Sequence, residues 1–154
     1  MNKAADRRLN ALRGTDLDDL HRAGVCPAPG ELAGTMDGAI LTGSLALVGI
    51  RSLGIWRGKI FDEQADEVSG INRLGIGPVE VRRYRFTARR ATSLFSDREV
   101  LCLDHDSPEN PDRIRRFHDE LVRIEPGLHL ATSHYRHGEE LRLLTYFALA
   151  APSS

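Results

Sequence analysis

From residue 55 onward the chain repeats one theme. Stretches of β-branched, aromatic or alternating residues fill 55–61, 68–74, 79–92, 100–105, 128–135 and 141–148, and turn chemistry separates them. Gly75-Ile76-Gly77-Pro78, Ser96-Asp97 and His137-Gly138 are such turns. Connections this short favour antiparallel hairpins over crossovers. Met36-Asp37-Gly38-Ala39-Ile40-Leu41 adds a first strand. One helix is expected among the strands: Asn110 caps it, Pro111 takes its first position, Ile114, Phe117, Leu121 and Ile124 form its apolar stripe, and Pro126-Gly127 ends it. Seven or so strands with a packing helix predict a mostly β fold, an antiparallel barrel whose closure removes exposed edges and encloses a cavity.

Ahead of the barrel, residues 1–29 read as a helical segment and linker, leaving 30–154 as the barrel domain. Thr15-Asp16-Leu17-Asp18 has the form of a capping box, Leu17 and Leu20 give an apolar edge, and Gly24, Pro27 and Pro29 stop the helix. Leu9 and Leu12 either extend it or lie on a loose tail. Residues 44–53 fit a short helix framed by Ser44 and Gly54 or a buried strand ending at Gly49, with the helix slightly favoured.

At 154 residues there is material for one core without disulfide staples. A net charge of −1 removes any global electrostatic drive toward nucleic acid or an anionic membrane. Cys26 and Cys102 are too few for a disulfide framework or a four-cysteine zinc site. The N-terminal residues lack an apolar signal region, and no run reaches the roughly 18 apolar residues of a membrane span. A cytoplasmic location is expected, with no membrane partner.

Chemistry is concentrated at Lys59. Apart from Lys3 near the N-terminus, every other fixed cation is arginine. Lys59 sits inside Ile55-Trp56-Arg57-Gly58-Lys59-Ile60-Phe61, so a strand aims a compact ammonium at one face of the sheet. Burial readily lowers a lysine pKa, which suits it to anion gripping or proton transfer. Strict alternation puts Lys59 with Arg57 and Phe61, and Trp56 with Gly58 and Ile60. Asn72 is a candidate orienting partner and Asp104 a candidate base. Asp119 and Glu120, expected on the helix, are candidates for a structural ion pair or supporting contact. Trp56, Tyr84, Phe86, Tyr135 and Tyr146 are candidate walls of a ligand site.

Trp56-Arg57-Gly58-Lys59, Asn72, Ser93, Asp97, Leu103-Asp104, Asp119-Glu120-Leu121 and Pro126-Gly127-Leu128-His129-Leu130 together resemble an uncharacterised group of small bacterial proteins. The resemblance covers roughly residues 30–150 and implies a lipocalin-like, or calycin-like, barrel, a kind that generally holds small apolar or amphipathic molecules. The chain departs from the group's pattern at His105, where Tyr is usual, at His118 and Val122, which replace arginines, and at Ala131, which replaces a Gly.

Other chemistries have less support. His105, His129, His134 and His137 have ligating atoms but no metal-site spacing, so neither metal nor haem is expected. The basic strand Arg82-Arg83-Tyr84-Arg85-Phe86-Thr87-Ala88-Arg89-Arg90 alternates as one apolar side and one solvated arginine side, so nucleic acid is not expected. Neither cysteine has an obvious base beside it in sequence, although Cys102 lies close to Asp104 and His105, and only the fold decides whether a base reaches it. No nucleotide-binding motif occurs and no cofactor is expected. The expected function is binding of a small, largely apolar molecule with an acidic or carbonyl group. The alternatives are a cofactor-independent cyclase, isomerase or lyase using Lys59 and a carboxylate, and a non-catalytic interaction module with a filled barrel.

Overall fold

The computed structural model describes residues 3–42, 55–76 and 78–151, so the ambiguous stretch 44–53 lies outside the described residues. Helices α1 (Lys3–Ala11) and α2 (Leu17–Ala23) and a single 3-10 turn (Pro29–Leu32) lead into the strands. These are β1 (Gly34–Ile40), β2 (Ile55–Gln64), β3 (Glu67–Ile76), β4 (Val79–Thr92), β5 (Glu99–Asp104), β6 (Phe117–Glu125), β7 (Leu128–His137) and β8 (Glu140–Ala150), with a one-turn helix α3 (Asp112–Arg115) between β5 and β6. Each strand pairs antiparallel with the next, and β8 returns to β1 through Gly38↔Leu149 and Ala39↔Ala148. The barrel is closed, so none of its eight strands is left with an unpaired edge.

Two cores result. Inside the barrel, Leu32, Met36, Phe61, Val68, Phe86, Leu101, Leu103, Leu121, Ala131 and Leu149 pack together, and the 3-10 turn drives Leu32 into one mouth as a plug. Outside, Ala5 and Leu9 of α1, Leu12 just after it and Leu17 of α2 cover Leu128, Leu130, Ala148 and Ala150 on β7 and β8. Asp16 caps α2 by accepting from the Asp19 backbone N–H at 3.1 Å. Because α1 lies on their outer face, β7 and β8 are buried on both sides toward this mouth and lose the apolar–polar alternation of a half-solvated strand.

The helix expected over residues 111–124 is one turn long, and β6 begins at Phe117. Asp119 and Glu120 therefore stand on a strand and point to opposite faces. The stripe misleads because β6 is also buried on both sides: Asp119 and Leu121 face inward, while Glu120 and Val122 lie outside and are only 2% and 1% exposed. Asn110 does not cap the helix. Its amide instead donates to the Arg85 and His105 carbonyls and accepts the Arg85 N–H, all within 3.0 Å.

Two bulges set the faces that matter. In β2 the register shifts between Trp56 and Gly58, and Gly58 takes φ +135°. In β4 Tyr84 is the extra residue opposite Ile71 and Asn72, with φ +71°. Beyond that bulge Phe86 and Ala88 face the core while Arg85, Thr87 and Arg89 are exposed, the split expected for a strand with one solvated arginine side.

Candidate functional site

Arg57 is the extra residue of the β2 bulge, so Trp56 and Lys59 share the interior face where strict alternation separates them. Lys59 is 2% exposed. Its Nζ lies 4.5 Å from the Phe86 ring centroid, 5.4 Å from Phe147 and 5.8 Å from Trp56, so three rings present their faces or flanks to the cation. Register sets Lys59 directly opposite Asn72. The Asn72 Oδ1 accepts from Lys59 Nζ at 2.7 Å and from the Trp56 indole N–H at 3.0 Å, and its Nδ2 donates to the Tyr84 carbonyl at 2.8 Å.

His105 completes one side of the cluster. Its Nε2 is 3.5 Å from Lys59 Nζ and 3.4 Å from Asn72 Nδ2. Two donors converge on that nitrogen, which fixes it as the acceptor and puts the ring proton on Nδ1. Asp119 closes the other side, with Oδ2 3.8 Å from Lys59 Nζ and 4.0 Å from His105 Nδ1. At 3.8 Å the Lys59 and Asp119 charges attract without a hydrogen bond, and the Asp119–His105 contact is likewise too long for one. Asp119 Oδ1 and His105 Nδ1 have no hydrogen-bond partner among the described residues.

Burial dominates the electrostatics. It lowers the Lys59 pKa to about 8 despite the pull of Asp119. It raises the Asp119 carboxyl against Lys59 and a Ser133 hydrogen bond, and it drives His105 well below the usual imidazole range, aided by the Lys59 charge. Each member is biased toward neutrality. Such a group can hold a ligand oxygen and exchange a proton with it near neutral pH.

The structure brings Lys59, Trp56, Asn72, Phe86 and Asp119 together and keeps Asp104, Glu120 and the Tyr84, Tyr135 and Tyr146 rings out of contact with Lys59. Asp104 is on the outer face of β5, 3.9 Å from Arg89, because Leu101, Leu103 and His105 take the inward positions. The carboxylate that meets Lys59 is Asp119. Tyr84 contributes its carbonyl, its ring being half-buried at the bulge. Tyr135 is half-buried and packs against Phe117 at 4.9 Å, which in turn edges His105 at 6.3 Å. Tyr146 faces outward, its hydroxyl donating to Asp18 of α2, since Phe147 and Leu149 hold the inward positions of β8. Glu120 is also outside. His105 and Phe147 complete the cluster although neither was expected there as a wall or orienting group; Phe147 is legible only once the register of β8 is known.

The remaining histidines lie elsewhere. His129 is buried at the plugged mouth, 3.3 Å from Glu31, and lines a groove of about 730 Å³ with Glu31, Met36, Arg123 and Gly127. Lys59 does not line that groove. His137 is exposed at the β7–β8 turn. Among the described residues no three His, Cys, Asp or Glu side chains are placed to hold a metal ion.

Outside the barrel, His118 and Glu120 form a charged pair at 2.9 Å. Burial pushes His118 down, but Cys102 and Glu120 outweigh it and raise the imidazole to about 10. Burial likewise pushes Glu120 up, yet His118, Ser93 and the Leu94 amide hold it at about 2. A raised base stabilises the fold below its ordinary pKa of 6.5, and a depressed acid stabilises it above its ordinary 4.5. The pair's contribution is therefore complete only between those two values. The unfolding free-energy gap between wild type and His118→Gln is expected to peak there in urea titrations, shrinking as pH rises toward 10 or falls toward 2; a gap constant with pH would mean that charge is not what the pair contributes.

No protein-family model matches the sequence. No curated protein matches it either. Among solved structures, a protein from Thermomonospora curvata superposes with a TM-score of 0.65 at 16% identity, covering 96% of this chain and 97% of that one. Identity that low shows the shared fold alone. The closed eight-stranded antiparallel barrel is consistent with a calycin-like small barrel.

Proposed function

We propose that the protein binds a small, largely apolar molecule through a carbonyl or acidic oxygen at Lys59, with Asn72 orienting the ammonium and Asp119 as the neighbouring acid or base. The observation that carries this reading is the incomplete bonding of a fully enclosed cluster. Of the three Lys59 N–H donors, one meets Asn72 at 2.7 Å and a second has only the long 3.5 Å contact to His105 Nε2, while Asp119 stands 3.8 Å away with one oxygen unpartnered. A pair kept only for structure would be expected to close to about 2.7–2.9 Å. Phe86, Phe147 and Trp56 around the nitrogen suit an apolar ligand body. Aliphatic packing fills the barrel from the Leu32 mouth up to Phe86, which supports a binding position toward the opposite end, at the Trp56, Tyr135 and His105 side.

A second reading, a cofactor-independent isomerase, cyclase or lyase, is favoured by one feature. A lysine with a pKa of about 8 beside a carboxyl of raised pKa has the matched pair of proton affinities that acid–base catalysis uses.

Native mass spectrometry of protein purified from its own host tests the binding reading. Wild type is expected to carry a small molecule that is absent from a Lys59→Met, Asp119→Leu variant of normal folded charge-state distribution. The same adduct on both proteins, or none on wild type, would reject it and favour the filled interaction module.

A further inference from the structure

A second chemistry-bearing cluster lies on the outer face of the barrel. Register sets Cys102 of β5 opposite Glu120 of β6 and Arg89 of β4. The Cys102 Sγ is 3.6 Å from His118 Nδ1, and His118 Nε2 is 2.9 Å from Glu120 Oε2. Glu120 is itself fixed, since Oε1 accepts from Ser93 Oγ at 2.6 Å and Oε2 from the Leu94 N–H at 2.9 Å. Nucleophile, base and orienting carboxylate thus follow one another in hydrogen-bond sequence, the order that activates a cysteine.

Two further observations point to a ligand here. His134, one strand along on the same face, is 6% exposed, and its Nδ1 finds no hydrogen-bond partner. Its ring lies 6.3 Å from that of His118. The loop after β4 stacks Phe95 on His134 at 4.1 Å, yet Phe95 and Leu94 remain 51% and 59% exposed. An apolar flank therefore borders a polar cluster that has a spare nitrogen. Of the three aligned groups, His118, with 17% of its side chain exposed, opens most to water.

We propose that Cys102, His118 and Glu120 form a reactive-thiol site for a small apolar carbon electrophile, separate from the Lys59 cluster. The Glu120 carboxylate holds the His118 ring at Nε2 so that Nδ1 faces the Cys102 sulfur and carries its proton as the sulfur reacts. The sulfur attacks the electrophilic carbon, an S–C bond forms, and the bond from that carbon to the leaving group breaks with its electron pair. His118 Nδ1 can deliver its proton to the departing group. The charged or titratable groups around the sulfur are Arg89 from β4, Asp104 from β5, which lies opposite His118 and 3.9 Å from Arg89, His118 and Glu120 from β6 and His134 from β7; His21 and Arg98 pair behind Glu120, where His21 Nε2 is 2.9 Å from the Glu120 carbonyl.

Cys26 supplies an internal control, because it is more exposed than Cys102 and burial pushes its thiol up. If exposure governs reactivity, Cys26 is modified first; if the cluster governs it, Cys102 is. Native protein treated with iodoacetamide at pH 7 and analysed by peptide mass spectrometry is expected to label Cys102 roughly tenfold faster than Cys26. In His118→Asn the Cys102 rate falls to that of Cys26 or below, with Cys26 unchanged. Faster labelling of Cys26 in wild type, or an unaltered Cys102 rate in a folded His118→Asn protein, overturns the proposal. Should that variant unfold, both cysteines label at one rate, and the wild-type order still decides.

Discussion

Replacing Lys59 with Met is expected to lower the unfolding free energy by about 3–5 kcal/mol, and adding Asp119→Leu to the same chain is expected to restore most of it. Lys59 and Asp119 have side chains 3% and 4% exposed, so neither charge can turn to water when its partner is removed. A lone Asp119 carboxylate, buried in the barrel, must either stay charged away from water or take up a proton, and both cost free energy. Removing both charges eliminates the desolvation that already pulls Lys59 down to about 8. Methionine is unbranched and about as long as lysine, and its sulfur tolerates the neighbouring Phe86, Phe147 and Trp56 rings. Urea titrations of wild type, each single variant and the double variant give the coupling directly. If the single costs simply add, the two groups are energetically independent and the cluster is not a unit.

Gly58→Ala is the second large effect, expected to destabilise the barrel by about 3 kcal/mol or more, because backbone strain alone accounts for about 1–3 kcal/mol. Gly58 has φ +135°, which side chains rarely adopt, and a Cβ there would sit 2.1 Å from the Met36 carbonyl oxygen. That contact is backbone, so relief requires β1 to move off β2. Gly34 separates the two causes: it has φ +105° with open space around its missing Cβ. Gly34→Ala should cost strain alone, and thermal melts of the two variants should differ by the clash. Equal shifts would show that the contact with Met36 carries none of the effect. Since the bulge puts Trp56 and Lys59 on one face, Gly58→Ala should also disturb indole fluorescence while the wild-type signal is intact.

The strands were legible because their turns are. Gly, Pro and Asp mark the hairpins, and alternation survives in β4, where the outer face is wet. It fails in β6, buried on both sides, where Ile114, Phe117, Leu121 and Ile124 at helical spacing read as a stripe although only Ile114 lies in a helix. That one confusion moved Asp119 off its strand and left Asp104 as the carboxylate nearest to hand. The pairing of Lys59 with Asn72 could be anticipated from residue type and strand position. Their juxtaposition with Trp56 could not, since a bulge reverses facing from one residue to the next and Gly58 only hints at it. The base beside Cys102 was hidden for a different reason. His118 lies sixteen residues away, and only the β5–β6 register brings the two within reach.

The Tyr84 carbonyl and the Arg85 N–H are the two ends of a single amide plane, one gripped by Asn72 and the other by Asn110. The polar cluster and the connection that follows β5 are thus fastened to the same rigid plate. A tilt imposed by either asparagine is transmitted to the other with no side chain between them, which makes the Arg85 amide a built-in spectroscopic reporter on the interior of the barrel.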